Sequence, residues 1–178
     1  MKKNHLIIIL GILFLIGVFV RLTPHPMNFT PVFAMALFAG AYLSGKWSVL
    51  LPLSVMFLTD LFLGFYEPGL MATVYGSIAL TGLAGCWLKK RQSVLNVLTL
   101  SLGAALFFFL TTNFAVWALS DWYAHTWQGL LLNYSLAVPF FRNTLLGNLF
   151  FAGIFFGSFE LARLRATVLK PVESENQS

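Results

Sequence analysis

The chain has 178 residues, 58% of them hydrophobic and 10% charged, against roughly 45–50% and 25% in a soluble domain, which excludes an ordinary water-soluble globule. The formal charge of +5 would suit nucleic acid, but lysine and arginine fall in short clusters beside apolar blocks. That is how membrane topology determinants are distributed, so nucleic acid is excluded as a partner and membrane lipid is expected instead.

The apolar residues come in blocks rather than alternations, and a helix needs about 20 of them to cross a hydrocarbon core of about 30 Å. The expected fold is therefore all-α: a polytopic membrane helix bundle of about six transmembrane helices, forming one domain over residues 1–170. The first span is expected over 6–22. Lys2 and Lys3 precede it as in a signal peptide, but no small-residue cleavage pair follows and the run ends at Arg21, so an uncleaved anchor is expected. The second, 29–44, is the shortest. Asn28 or Thr30 could cap it with Pro31 in the first helical position, which favours a full crossing over a re-entrant segment. Spans 47–65 and 70–88 follow, separated by Ser44-Gly45-Lys46 and Tyr66-Glu67-Pro68-Gly69, which read as tight turns. A long span covers 94–118. The stretch 120–141, with Asp121, Trp122, Tyr123, His125 and Trp127, reads as an interfacial half-helix or as a lid. The last span is expected over 143–163, and the polar tail 171–178 as disordered on the cytoplasmic side.

With six crossings, Lys2, Lys3, Lys46, Lys89, Lys90, Arg91, Arg163, Arg165 and Lys170 share one side and only Arg21 and Arg142 lie on the other. This bias predicts a bacterial inner membrane protein with both termini in the cytoplasm. Cys86 is the single cysteine, so no internal disulfide is possible; it reads as packing. The glycine and alanine pairs at Gly11 to Gly17 and Ala36 to Gly40 read as close helix approaches.

Polar side chains are expensive in hydrocarbon, so those inside spans are functional candidates. Asp60 falls about 21 Å beyond Lys46 along a helix, and Asn113, beside Thr111 and Thr112, reaches a similar level. Arg142 and Asn143 open the last span, with Asn148 deeper; Arg21, His25, Asn28 and Thr30 form the first outer loop. Singly, these are caps and interfacial residues, or Asp60 paired with Arg21 or Arg142. Together they outline a polar cavity for a small solute, with Asn28, Asp60, Asn113, Arg142 and Asn143 as binding residues and Trp122 in the covering segment. His5, His25 and His125 show no zinc spacing, and there is no Walker sequence, G-x-S-x-G or H-E-x-x-H. No enzyme activity, metal or cofactor is expected.

Several stretches carry a resemblance: Pro26-Met27-Asn28-Phe29-Thr30-Pro31, Leu37 to Tyr42, Thr59 to Phe65, Thr112 to Trp117 and Pro139 to Asn148. Over nearly its whole length the chain resembles a family of small bacterial membrane proteins of unknown function. In size, span number and outward polar cluster it also resembles the substrate-binding S components of energy-coupling factor transporters, which capture vitamins. That likeness implies uptake of a vitamin-like solute, with a membrane partner subunit and ATPases on other chains. S components commonly present an A-x-x-x-A pair on the first span, whereas Leu6 to Val20 contains no alanine. The role of a metal-proximal cysteine in the solitary cobalamin type is not carried onto Cys86. The alternative is a structural or assembly membrane protein with no small-molecule substrate.

Overall fold

The computed structural model describes residues 3–43 and 45–168, with side chains from Leu6 to Arg165. The tail 171–178, Lys2, Ser44, Lys170 and the side chains of Lys3 and His5 lie outside the described residues. Six helices follow one another: α1 (Lys3–Leu22), α2 (Val32–Tyr42), α3 (Gly45–Leu63), α4 (Pro68–Leu88), α5 (Val94–Leu119) and α6 (Trp127–Val168). Among the described residues there is no strand. Helices α3 to α6 are each long and apolar enough to cross a membrane, while α1 and α2 are shorter apolar helices. The protein is an all-α integral membrane bundle.

Helix α2 is shorter than the expected 29–44 span. Its 11 residues rise about 16 Å, half of a hydrocarbon core. The cause is local. Pro31 sits at the N-cap rather than inside the helix, with no side-chain cap from Asn28 or Thr30, and Leu43 turns extended at the other end. The residue before a proline is pushed out of the helical region, so Thr30 cannot prolong the helix backwards. Every residue from Val32 to Ala41 is buried, because α2 packs against all five other helices.

Small residues let those helices close in. A methyl on Gly85 would come 2.7 Å from the Leu37 carbonyl oxygen, and one on Gly40 would come 2.6 Å from the Cys86 nitrogen. Gly82 faces the Ser48 carbonyl still more tightly. The Ala36 to Gly40 expectation is met here, and Gly17 likewise meets Met35 and Val55, whereas Gly11 opens on empty space. Cys86 is a packing thiol: Sγ donates to the Gly82 carbonyl and lies 3.6 Å from Ser48 Oγ.

Helix α6 departs most from expectation. Residues 127–141 were expected as an interfacial piece or lid, yet Trp127–Val168 is one helix of 42 residues, about 63 Å long. It runs antiparallel to α5, to which Asn133 Nδ2 donates at the Asn113 carbonyl (2.6 Å), Tyr134 Oη at Leu110 (2.7 Å) and Asn148 Nδ2 at Ser101 (3.3 Å). In lipid a helix satisfies its own backbone, so an apolar stretch stays helical through Pro139 even though that residue donates no amide hydrogen.

One end of the bundle carries the C-terminus of α1, the Gly64–Glu67 turn and the 120–126 loop; it is termed the Trp122 end. Lys46, Lys89, Lys90, Arg91, Arg163 and Arg165 sit at the opposite, Lys89 end. There Tyr42 donates to Glu160 Oε1 (2.6 Å), tying α2 to α6.

Candidate functional site

At the Trp122 end the last turn of α1 lies beside the last turn of α3. Arg21 Nη2 donates to Asp60 Oδ1 at 2.6 Å and Arg21 Nε to Thr59 Oγ1 at 2.7 Å. Tyr75 of α4 donates to Asp60 Oδ2 at 2.8 Å. The carboxylate, 2% exposed, therefore has both oxygens engaged. Charge and hydrogen bonds together satisfy it, as a buried ion requires. Arg21 is not fully spent: Nη1 makes no hydrogen bond among the described residues, and the guanidinium forms part of a cavity wall.

That cavity, of about 250 Å³, is bounded by Arg21, Asn28, Thr30, Tyr66, Phe33, Met56, Val74, Ile78 and Phe108. A neighbouring one of about 200 Å³ is lined by Thr112, Asn113, Thr144, Phe109, Phe140 and Phe141. They share Asn28, Val74 and Phe108 as walls, so Asn28 stands between them. It sits in a turn closed by the Phe29 amide on the Pro26 carbonyl (2.9 Å) and has φ 65°, the left-handed conformation. Among residues with a side chain, asparagine is one of the few that adopts it at little cost.

The polar groups on these walls have capacity left over. Asn113 Nδ2 donates to Phe109 and leaves Oδ1 unpaired among the described residues; Thr112 and Thr144 donate backwards to carbonyls four residues earlier and keep oxygens free to accept. Asn28, Thr30 and Tyr66 make no side-chain hydrogen bond within the described residues. Burial, and then the negative charge of Asp60, push the Tyr66 phenol up to about 12 despite nearby Arg21. Tyr66 therefore remains a hydroxyl donor across the physiological range. Such a cavity offers hydrogen-bond donors and acceptors between aromatic walls without a net charge, since Arg21 and Asp60 neutralise each other.

Among the expected site residues, Asn28 and Asn113 lie on the cavity walls, and Arg21 and Thr30 of the first loop join them. Asp60 lies behind the wall, bound to Arg21 and Tyr75. Asn143 donates to the Met27 carbonyl (3.1 Å) and so braces the turn that carries Asn28. Arg142 is exposed on the opposite face of α6, and Trp122, 78% exposed in the 120–126 loop, touches neither cavity. Sequence reasoning did not single out Tyr66, Tyr75 or Thr144. Tyr66 stood in a turn and Tyr75 in an apolar run, and neither has a local pattern that announces its partner.

A larger cavity of about 460 Å³ lies at the Lys89 end between α2, α5 and α6. Its walls are mostly apolar, and its one carboxylate, Glu160, is already bound by Tyr42 and Arg163, so the Trp122-end cavities hold the richer chemistry. Among the described residues no three His, Cys, Asp or Glu side chains are placed to hold a metal ion.

Neither the curated proteins nor the solved structures contain a match to this chain. A family of unknown function (DUF6580) matches residues 1–171. A buried ion pair behind a neutral, aromatic-walled cavity in a six-helix membrane bundle is thus a structure found in a member of that family: the chain belongs to the family of unknown function DUF6580.

Proposed function

We propose that this chain is a solute-binding protein of a bacterial inner membrane, holding a small, uncharged, flat, vitamin-like molecule in the Trp122-end cavities. The observation that carries this reading is the set of unspent polar groups on the cavity walls: Arg21 Nη1, the Asn28 amide, Thr30, Tyr66 and Asn113 Oδ1. In a bilayer, polar groups are normally consumed by neighbouring helices. Leaving several unspent around one space between phenylalanine rings is the arrangement of a ligand pocket. Because Asp60, the carboxylate behind the wall, is neutralised by Arg21, a ligand with carbonyl and N–H edges suits the site better than a phosphate or an ammonium.

The clustering of Lys46, Lys89 to Arg91, Arg163 and Arg165 at one end supports cytoplasmic placement of that end and of both termini, with the cavities opening outward. The reading assigns no catalysis to the chain, and any energy for transport comes from a partner subunit. A second reading, a structural or assembly protein, is favoured by the completeness of the Arg21–Asp60–Tyr75 network, which is what a purely stabilising cluster looks like.

Native mass spectrometry of the gently solubilised protein separates the two. A ligand-binding protein carries a co-purifying small molecule, which Asn113→Leu and Asn28→Gly lose while their melting temperatures without ligand stay near that of the wild type. Arg142→Gln, away from the cavity, keeps it. An empty wild-type protein with no thermal shift from vitamins or nucleobases favours the assembly reading.

A further inference from the structure

Two of the cavities lie against the same pair of helices. The one of about 200 Å³ at the Trp122 end is walled by Phe109, Thr112 and Asn113 of α5 and by Phe141 and Thr144 of α6. The one of about 460 Å³ at the Lys89 end is walled by Val94, Val97 and Leu98 of α5 and by Leu149, Ala152 and Phe156 of α6. Positions 97, 101, 104, 108 and 112 follow one stripe of α5, and 141, 144, 148, 152 and 156 one stripe of α6, each at the helical spacing of three or four. Both cavities therefore lie along a single seam, and Thr144 and Leu149, one on each wall, are about 8 Å apart along α6.

The partition between them is polar and incompletely bonded. Asn148 Nδ2 donates to the Ser101 carbonyl at 3.3 Å, a long bond. Ser101 is fully buried, and its Oγ is the one buried side-chain oxygen or nitrogen without a hydrogen-bond partner among the described residues. Ser77, Thr81, Thr112 and Thr144 all return their hydroxyls to a carbonyl four residues earlier, the usual resort of a hydroxyl on a helix. Ser101 does not. Asn148, 1% exposed, likewise keeps Oδ1 without a donor among the described residues. An unmade hydrogen bond is expensive in a membrane interior, and polar groups kept there mark the routes of substrates.

We propose that these cavities are two chambers of one solute path along the α5–α6 seam, closed in this structure at Ser101 and Asn148, whose hydroxyl and amide oxygen hydrogen-bond a small uncharged molecule as it crosses. The proposal rests on the solute-binding reading of the Trp122-end cavities and extends it, because the chain itself then supplies the way through. The constriction offers the chemistry of the outer cavities: hydrogen-bonding groups and no charge. It is flanked by the small buried side chains of Ala104 and Ala152. Separating α5 from α6 at this level breaks one long hydrogen bond and, among the described residues, no ion pair.

Cysteine labelling tests the path without any solute. The full chain carrying Cys86→Ser and one added cysteine, in sealed phosphatidylcholine vesicles of either orientation, is exposed to a neutral, membrane-impermeant glucosyl methanethiosulfonate, and adducts are counted by mass spectrometry. Ser101→Cys, Asn148→Cys and Ala104→Cys should be modified from both faces. Their rates should exceed by about tenfold or more those of Leu102→Cys and Phe150→Cys, at positions 48% and 54% exposed on the outside of the bundle. Ser101→Cys is nearly isosteric, and Ala104→Cys, one turn along the same stripe, serves if either of the others melts well below the parent. Rates at the seam no faster than at Leu102 and Phe150 describe a dry partition between separate cavities and overturn the proposal. Modification from one face only describes a dead end and overturns it as well. Because no solute is added, a wild-type protein without a co-purifying molecule counts against the solute reading and leaves this readout intact, whereas a bound molecule beside a silent Ser101→Cys does the reverse.

Discussion

Asp60 shows how a single residue is legible as a demand before it is legible as an arrangement. A carboxylate in an apolar run requires a cation, and the sequence offers Arg21 and Arg142. The fold selects Arg21, because α1 ends against the last turn of α3 while Arg142 points away from the bundle. The further bond from Tyr75 had no sequence signal, since it depends on how α3 and α4 meet across their turn. Removing one partner of a buried pair leaves a stranded charge and costs about 3–5 kcal/mol, whereas replacing both with apolar groups is close to neutral. Arg21→Leu should therefore lower the melting temperature sharply in fluorescence-monitored unfolding, Tyr75→Phe only modestly, and Arg21→Leu with Asp60→Leu should recover most of the loss. A double variant no more stable than Arg21→Leu would show that the pair is not coupled.

At the scale of the helices, composition announced close packing without saying where it falls. Gly82 and Gly85 present their bare faces to α3 and α2, and any added carbon there runs into backbone. Gly76 and Gly153 carry the same sequence appearance but look onto open space. Gly82→Ala and Gly85→Ala should each destabilise by about 1–3 kcal/mol through overpacking. Gly76→Ala and Gly153→Ala should be neutral or mildly stabilising, because alanine orders a helix at less entropic cost. Equal effects at the four positions, measured by thermal unfolding, would contradict the α2–α4 approach. The same scale explains why the 120–141 stretch joins the last helix. Its tryptophans and polar residues read as an interfacial half-helix or a lid, but Asn133 and Tyr134 spend their side chains on α5 carbonyls and hold residues 127–141 in one helix with the rest of α6.

For the whole molecule, the length of α6 sets the depth of everything on it. A position taken as the opening of the last span, Arg142, lies inside a longer helix that starts at Trp127, and its neighbour Asn143, bonded to the Met27 carbonyl, keeps it level with the loop between α1 and α2 at the Trp122 end. In a Cys86→Ser background, single cysteines at His125 and Gln92 should react with a membrane-impermeant maleimide from opposite sides of sealed vesicles. A cysteine at Arg142, level with the Met27 turn that Asn143 braces, should react from the His125 side. Labelling at 142 from the Gln92 side would contradict that placement.

The sequence by itself determined that this chain is an all-α membrane bundle of six helices, where most helices begin and end, and that polar residues gather near one end. Those properties follow from local apolar length, prolines, glycines and charge, each read within a few residues. Only the tertiary structure decided that α2 is a short enclosed helix, that Asp60 is spent on Arg21 and Tyr75, that Asn28 and Asn113 face a cavity, and that Arg142 faces away from it. The face a helical side chain presents depends on the rotation and tilt of its helix against neighbours distant in the sequence. In a chain apolar on nearly every side, no hydrophobic stripe fixes that rotation in advance.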